Sequence, residues 1–296
     1  MSHSTPTASA QAYRGRLAPT PSGLLHLGHA RTFWTAQARA RQHGGALVLR
    51  NEDLDPDRCR AEFAVAMLAD LRWFGLDWQE GPDVGGPFGP YSQSLRLDWH
   101  REVWRRLAAA GAIYPSSHSR KDIAGALLAP HDDPAPGVPR DDSEPIFPAS
   151  LRPAASDVAD RPIPSEPGAV NWRFRVPDGE AIAFHDAHWG LVRRVAGIDF
   201  GDFLVWRKDG YPSYELAVVA DDHAMQITEV VRGEDLLTST ARQLLLYRAL
   251  GWPAPGFCHC PLVRDASGAR LAKRNDAASL RALRAAGADP AALREG

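Results

Sequence analysis

Near its N-terminus the chain carries the stretch Arg16-Leu17-Ala18-Pro19-Thr20-Pro21-Ser22-Gly23, followed by two leucines and then His26-Leu27-Gly28-His29. The first four residues predict the end of a strand, and the Pro-Ser-Gly sequence predicts a tight loop. Residues 30–41 are good helix formers and contain neither proline nor glycine. The stretch therefore predicts a strand, a loop and a helix, with both histidines at or near the helix start.

The start of a helix is suited to phosphate, because its unpaired backbone N–H groups and the helix dipole favour anions. His26 and His29 are three residues apart and can face one phosphate, while Gly28 lets the backbone approach closely. Far along the chain, Arg270-Leu271-Ala272-Lys273-Arg274 follows Gly268 and can bring further cations. Together the two segments could stabilise the charge that grows when a carboxylate attacks the α-phosphate of ATP.

Composition limits the class of protein. The chain has 296 residues, which suits two domains or one domain with a large insertion. Its formal net charge is only -2, so an RNA site has to be a local basic patch such as residues 101–106 or 193–194. Three cysteines make no disulfide framework, and no apolar segment suits a signal peptide or a membrane span. We expect a soluble, cytoplasmic protein with no membrane partner.

The sequence divides into a disordered tail (1–12), a first catalytic half (13–114), an insertion (115–200), a second catalytic half (201–276) and a C-terminal stub (277–296). Predicted strands are 46–50, 172–176, 203–206, 227–231 and 258–263, and predicted helices are 62–74, 97–110, 214–222 and 239–250. Alternation of strands with helices predicts an α/β fold with a parallel sheet and ligands at the carboxyl ends of the strands. Ten of the 24 prolines lie in 129–167, which predicts an irregular segment.

Further motifs in the same order lie at residues 49–56, 91–94, 216–223 and 229–236. With the His-x-Gly-His segment and the basic loop, they resemble the glutamyl branch of the class I aminoacyl-tRNA synthetases. The resemblance covers nearly the whole chain after the first dozen residues, apart from the proline-rich part of the insertion. It implies a Rossmann-like class I catalytic domain that activates L-glutamate with ATP and Mg²⁺.

The resemblance implies two sets of site residues. The glutamate set is Arg16, Leu17, Ala18, Pro19, Thr20, Glu52, Tyr214 and Arg232. The ATP set is His26, Gly28, His29, Arg270 and Lys273, of which the two histidines and the lysine are expected to be catalytic. The chemistry agrees, because guanidinium groups bind carboxylates in a planar bidentate form and a glutamate side chain suits the substrate ammonium. The basic loop departs from the family pattern of Lys, Ser and Lys, since only the second lysine is kept.

Zinc is expected to be absent. Many members of the family hold a zinc ion in the insertion through a Cys-x-Cys pair, a tyrosine and another cysteine. The matching positions here are Ser116, His118, Phe147 and Leu151, of which only His118 is a good ligand. The run Cys258-His259-Cys260 has no second Cys/His pair at ligand spacing and is interpreted as a buried strand. We therefore expect no bound metal in the protein itself.

A further expectation concerns the acceptor of the glutamyl group. The chain ends where an anticodon-binding domain would begin in a full-length synthetase, and in this it resembles a family of shorter paralogues. That resemblance implies activation of glutamate without tRNA and transfer to the cyclopentenediol of queuosine in the anticodon loop of tRNA(Asp), by an expected monomer. Three alternatives stay open: a truncated synthetase that charges a tRNA 3′ end, a non-catalytic glutamate- or RNA-binding paralogue, and a small nucleotidyltransferase.

Overall fold

The computed structural model describes residues 12–118, 146–154, 162–263 and 279–295. Nearly all of the predicted N-terminal tail, most of the proline-rich segment and the whole basic loop with Arg270 and Lys273 lie outside these ranges. What the sequence predicts for them stays a prediction. No helix in the described ranges is long and apolar enough to cross a membrane.

The elements alternate along much of the chain. The strands are β1 (Arg14–Leu17), β2 (Ala46–Leu49), β3 (Ile113–Ser116), β4 (Asn171–Phe174), β5 (Ala181–Asp186), β6 (Gly190–Val195), β7 (Phe203–Trp206), β8 (Glu229–Gly233) and β9 (Gly256–Cys260). The α-helices are α1 (Leu27–Gln42), α2 (Ala61–Phe74), α3 (Leu97–Ala109), α4 (Tyr214–Ala224), α5 (Leu237–Leu250), α6 (Leu280–Ala285) and α7 (Pro290–Glu295). Single 3₁₀ turns lie at Gln93–Arg96, Ala149–Leu151 and Glu234–Leu236.

The described residues form two compact units that alternate along the sequence. The first unit takes its residues from Met1–Ser92, Met225–Gly233 and Pro255–Gly296, and the second from Gln93–Ala224 and Glu234–Ala254. The predicted segments are consecutive stretches of sequence, whereas each compact unit collects several separate stretches. The predicted boundaries, such as the one after residue 114, stay predictions.

The first unit has the predicted parallel arrangement. Strand β1 pairs with β2, and β8 pairs with β9, both in parallel. The backbone N–H of Thr228 donates to the carbonyl of Arg14 at 2.9 Å, so the start of β8 lies beside β1. Apolar side chains of β1, β2, α1 and α2 form one core, which includes Leu17, Leu49, Phe33, Leu71 and Phe74. Strand β2, with the sequence Ala-Leu-Val-Leu, is a short continuous apolar run, as expected for a parallel strand that helices cover.

Helices α1 and α2 follow from their local sequences. The buried residues of α1 recur at three- and four-residue spacing, from Ala30 through Phe33 to Ala40, which gives the helix one face toward the core. Helix α2 ends at Gly75, whose φ of +94° is in the left-handed region. A residue with a Cβ atom rarely adopts this conformation, so the glycine is what allows the helix to stop there.

The predicted C-terminal stub is helical where the structure describes it. The Ser279 side chain accepts a hydrogen bond from the N–H of Ala282 and caps α6. The N–H of Leu280 donates to the carbonyl of Leu25 at 2.8 Å, immediately before the His-x-Gly-His segment. In α7, Arg294 donates to the carbonyl of Phe74 at 2.7 Å. Helix α6 is therefore hydrogen-bonded to the residues just before α1, and α7 is hydrogen-bonded to the last residue of α2.

Where the structure describes it, the second unit does not have the parallel sheet that the alternation of strands and helices predicted. Strands β3, β4 and β7 form a three-stranded sheet in which both pairings are antiparallel. Strand β3 was not predicted, and the prediction of a parallel arrangement was wrong for β7, because the pattern of apolar residues reports burial but does not specify a partner or its direction. The core of this unit includes Trp104, Trp172, Phe203, Trp206 and Leu245.

Two further differences concern strands. The antiparallel hairpin of β5 and β6 was not predicted, although Ile182, Phe184 and Asp186 are buried in alternation with exposed residues. The strand predicted at 258–263 begins earlier and ends at Cys260. The next residue is Pro261, which has no backbone N–H to donate to a neighbouring strand. The helices predicted at 62–74, 97–110, 214–222 and 239–250 are confirmed, with ends displaced by a residue or two.

Candidate active site

Two buried arginines lie near the carboxyl ends of β1 and β8. Arg16 is 3% exposed and its Nη1 donates to the carbonyl of Val231 at 2.7 Å. Arg232 is the next residue along β8 and is 5% exposed. The guanidinium of Arg16 thus lies against the peptide that joins Val231 to Arg232. Guanidinium groups bind carboxylates through charge-assisted hydrogen bonds, so two buried arginines at this end of the strands suit it to a carboxylate.

Glu52 follows β2 and is fixed by its backbone and its side chain. Its N–H donates to the carbonyl of Pro19 at 3.1 Å, while the N–H of Arg50 donates to the carbonyl of Leu17 at 2.8 Å. The fully buried Arg50 donates from Nη2 and Nε to Oε1 of Glu52, at 3.0 and 3.3 Å. A carboxylate can accept more hydrogen bonds than these two, so Arg50 orients Glu52 without excluding a substrate ammonium.

Sequence reasoning missed Arg50. The signal was present, because residues two apart on an extended chain point to the same side and Arg50 and Glu52 have that spacing. The segment between β1 and the loop is placed as the sequence suggested. Leu17 and Pro19 are buried, Ala18 and Thr20 are partly buried, and the carbonyl of Thr20 accepts from the N–H of Ser22 at 2.9 Å. Pro19 therefore lies beside the backbone of Glu52, and Leu17 lies beside that of Arg50.

His26 and His29 lie together at the start of α1. Helix α1 begins at Leu27, and the carbonyl of His26 accepts its first hydrogen bonds, from the N–H groups of His29 and Ala30. The two imidazole rings stack with their centroids 3.7 Å apart and an interplanar angle of 29°. A Cβ atom on Gly28 would lie 3.2 Å from the His26 ring, so the ring would have to move by a few tenths of an ångström to make room for it. The predicted pair at a helix N-terminus is confirmed as an arrangement.

Cys59 is a further neighbour of this site. Its Sγ lies 3.9 Å from the carbonyl oxygen of Glu52. Burial raises the pKa of the Cys59 thiol above its ordinary value, although a backbone hydrogen bond at Asp55 works in the opposite direction. The thiol therefore stays neutral at neutral pH and adds no negative charge beside Glu52.

Cys258, His259 and Cys260 are confirmed as a strand, with the first two residues buried. His259 has a role in the geometry that the sequence did not reveal. Its Nε2 accepts a hydrogen bond from Nε of Arg232 at 3.2 Å, and the parallel register pairs the two residues directly. The ring of Phe257 lies 5.9 Å from the Arg232 guanidinium. The contact could be found only with the strand order, which periodicity does not supply.

The remaining predicted residues lie in the second compact unit or outside the described residues. Tyr214 begins α4 in the second compact unit and is 41% exposed. Arg270 and Lys273 lie outside the described residues. The roles assigned to all three stay predictions.

The four positions matched to a family zinc site have a different environment here. Ser116 is buried at the end of β3, and the ring of His118 lies 6.2 Å from that of Phe147. Phe147 packs with Tyr114 and Leu151 in a small apolar cluster. Among the residues that the structure describes, no three His, Cys, Asp or Glu side chains are grouped so as to hold a metal ion. Absence of zinc from the protein stays a prediction.

Comparison with known proteins gives the family. Residues 12–296 match the model for the catalytic domain of class I tRNA synthetases (E and Q). The chain belongs to this family. As a class I synthetase of the E and Q group, it is a ligase of the aminoacyl-tRNA synthetase type with the corresponding α/β catalytic domain.

Its relatives include two proteins of similar length. The glutamyl-Q tRNA(Asp) synthetase of Symbiobacterium thermophilum is 48% identical over 276 residues, which are 93% of this chain and 82% of that relative. The protein of the same name from Nitratidesulfovibrio vulgaris is 47% identical, with the same two coverages. Glutamate–tRNA ligase 2 of Acidithiobacillus ferrooxidans is 42% identical, covering 95% of this chain and 56% of that protein.

A solved synthetase structure has the same fold. It is a glutamate tRNA ligase from Elizabethkingia meningosepticum in complex with its amino acid, with a TM-score of 0.72 and 29% sequence identity. The match covers 89% of this chain and 52% of that one, so the chain spans about half the length of the solved protein.

Proposed function

We propose that this synthetase activates L-glutamate with ATP in the absence of tRNA and transfers the glutamyl group to the cyclopentenediol of queuosine in the anticodon loop of tRNA(Asp). The observation that carries the proposal is found within the first compact unit. This unit contains the charged residues that suit glutamate, which are Arg16, Arg232 and Glu52, with Glu52 oriented by Arg50. It also contains the stacked histidines at the start of α1. The names of two similar-length relatives support the choice of queuosine.

The first part of the proposal is recognition of glutamate. The substrate carries two carboxylates and one ammonium group at neutral pH. Arg16 and Arg232 bind the carboxylates through charge-assisted hydrogen bonds, and Glu52 binds the ammonium. The backbone from Leu17 to Thr20 lines the pocket, and Tyr214 adds a directional hydroxyl.

The second part is formation of the adenylate. A carboxylate oxygen of glutamate attacks the α-phosphorus of ATP, a phosphorus–oxygen bond forms, and pyrophosphate leaves. The attacking carboxylate is already ionised, so no general base is required. His26 and His29 stabilise the charge that develops on the phosphate oxygens, together with the helix N-terminus, and Arg270 and Lys273 contact the phosphates from the basic loop.

Mg²⁺ fits this arrangement as a companion of ATP. In nucleotide sites the ion is bound mainly through substrate phosphates, with one or two protein carboxylates at most. The groups at the start of α1 are imidazoles and backbone N–H groups, which suit phosphate oxygens. When bound, the ion neutralises part of the charge on the phosphates.

The third part is transfer. A hydroxyl of the cyclopentenediol attacks the carbonyl carbon of glutamyl-adenylate, an ester bond forms, the hydroxyl proton leaves and AMP is released. The base has to leave the stack of the anticodon loop to enter the pocket, and bases in RNA loops are readily splayed out. The expected monomeric state and cytoplasmic location belong to the same proposal.

A tRNA 3′ end is the second candidate acceptor, favoured by 42% identity to a glutamate–tRNA ligase. Labelled glutamate should be offered with three tRNAs: tRNA(Asp) that contains queuosine, the same tRNA without its 3′-terminal adenosine, and queuosine-free tRNA(Asp). We expect label on the first two tRNAs and none on the third. Periodate oxidation of the tRNA before the reaction destroys the vicinal diol, so no label should then appear on the first two either. Equal label on queuosine-free tRNA(Asp), or on the 3′ end of tRNA(Glu), would reject the queuosine assignment.

A further inference from the structure

We propose that His259 is a positioning residue that fixes the orientation of Arg232, so that a substrate carboxylate is bound by the terminal N–H groups of this arginine. The inference rests on the proposed function, because it assumes that Arg232 binds glutamate. His259 belongs to the run Cys258-His259-Cys260, whose residues the sequence suggested only as a strand.

The geometry around His259 is closely defined. The residue is completely buried in β9, and its Nε2 is 3.2 Å from Nε of Arg232 on the adjacent parallel strand β8. Phe257 is two residues earlier on the same side of β9, and its ring lies 6.2 Å from the imidazole at an interplanar angle of 20°. The guanidinium of Arg232 therefore has an aromatic ring and an imidazole from one strand beside it.

The hydrogen bond specifies the state of the imidazole. The Nε–H of arginine is only a donor, so Nε2 of His259 must carry its lone pair. The ring is then neutral, with its proton on Nδ1. A neutral acceptor orients the guanidinium without adding a negative charge beside it.

Arg39 in the same unit shows the contrast. Its Nε and Nη2 both donate to the carboxylate of Glu229, each at 2.6 Å. That pairing uses the side edge of the guanidinium and also supplies an anion. At Arg232, the contact from His259 uses the Nε–H and adds no anion of its own.

Occupation of the Nε–H has a consequence for the substrate. A guanidinium can bind a carboxylate in two bidentate ways, by Nε with one terminal nitrogen or by its two terminal nitrogens. The His259 contact excludes the first way, because the Nε–H already has an acceptor. The substrate carboxylate must therefore bind to the two terminal nitrogens of the guanidinium. The side-chain amide of glutamine would offer these nitrogens one oxygen acceptor and one NH₂ donor, and the donor would face the N–H groups of Arg232. His259 therefore contributes to discrimination between glutamate and glutamine.

The test uses two substitutions of nearly equal size and flexibility. His259→Gln can place an amide oxygen near the position of Nε2, whereas His259→Met has no such acceptor. We expect His259→Met to raise the KM for glutamate in pyrophosphate exchange about ten-fold, as for loss of one charge-assisted hydrogen bond, and to lower the glutamate/glutamine ratio of kcat/KM. The KM for ATP should stay within about two-fold, and His259→Gln should stay close to the unsubstituted protein.

Arg232→Lys separates this inference from the proposed function, since lysine keeps the charge but has no planar bidentate edge. An unchanged KM for glutamate in Arg232→Lys would show that Arg232 is not in the pocket and would reject the functional assignment. If Arg232→Lys is impaired while His259→Met and His259→Gln behave alike, whether both are normal or both are impaired, the positioning role is wrong. If His259→Met does not fold, His259→Asn replaces it, because the shorter amide of asparagine does not reach Nε of Arg232. A KM for glutamate in His259→Asn equal to that in His259→Gln would overturn the inference.

Discussion

Single residues determine how the charges of the site are oriented. Glu52 is buried, and the hydrogen bonds that Nε and Nη2 of Arg50 donate to it reach the same carboxylate oxygen. The orientation of Glu52 thus depends on a residue that the substrate need not touch. The sequence was sufficient to propose Glu52, Arg16 and Arg232 through the resemblance to the synthetase family, with which the chemistry of glutamate agrees. It was insufficient for Arg50 and His259, because their roles depend on contacts within and between strands.

Removal of Arg50 tests this dependence. Arg50→Met should destabilise the protein by about 3–5 kcal/mol, because it leaves the carboxylate of Glu52 buried without this cation. Arg41→Met is the control, since the pair of Arg41 and Asp77 is exposed and should contribute about 0–1 kcal/mol. Urea unfolding measures both values. A loss for Arg50→Met no larger than that for the control would contradict the account of this pair.

Gly28 gives a second test at this scale. In Gly28→Ala the new Cβ would lie 3.2 Å from the His26 ring, so the ring would have to move by a few tenths of an ångström. We expect a decrease in the pyrophosphate-exchange rate of about three- to ten-fold, because a misplaced catalytic group loses part of its effect. The control is Gly23→Ala, whose added Cβ has no atom within 4 Å. Equal rates in the two variants would show that the stacked histidines are not needed where they lie.

Pairs of elements hold these residues in place. Glu229 in β8 accepts two hydrogen bonds from Arg39 in α1 and one from Tyr13, just before β1. Burial alone would raise the pKa of Glu229, but the hydrogen bonds from Arg39 and Tyr13 outweigh it and hold the pKa below the ordinary value of 4.5. The helix that begins at the histidines is thereby attached to the strand that carries Arg232.

The sign of the pH dependence follows from the lowered pKa. The unfolded chain binds a proton at Glu229 more readily than the folded protein does, so the contribution of Glu229 is present above pH 4.5 and is lost as pH falls through the lower folded pKa. Glu229→Gln should therefore reduce Tm at neutral pH, and the difference from the unsubstituted protein should narrow below pH 4.5. The exposed Glu62→Gln serves as a control with little effect at either pH. A difference that stays constant on acidification would contradict the pairing.

The elements of the insertion give a prediction about metal. Phe147 and Leu151 pack with Tyr114, and the guanidinium of Arg173 lies 4.3 Å from the Phe147 ring. An apolar cluster of this kind has no thiolate to offer a zinc ion. Elemental analysis of protein purified without added metal should find zinc well below one ion per chain, and chelator should not change Tm. Stoichiometric zinc that survives chelator would overturn this prediction.

The whole molecule shows where sequence reasoning reaches its limit. The alternation of strands and helices predicted the α/β class, and the first unit has the parallel pairs that this pattern favours. The second unit has antiparallel sheets, because short buried strands have similar patterns whichever way they pair. Motifs identified the family, since they specify side-chain chemistry in a fixed order. They did not specify how β8 and β9 place His259 against Arg232.

The most direct measurement is exchange of labelled pyrophosphate into ATP with L-glutamate and Mg²⁺ and without tRNA. The account predicts exchange with glutamate. With glutamine, kcat/KM should be at least about a hundred-fold lower, because the amide carries no charge for the buried guanidinium groups. Lys273→Ala should show a strong loss of rate with little change in glutamate binding. Exchange that appears only when tRNA is added, or that is equal for glutamate and glutamine, would contradict the central claim.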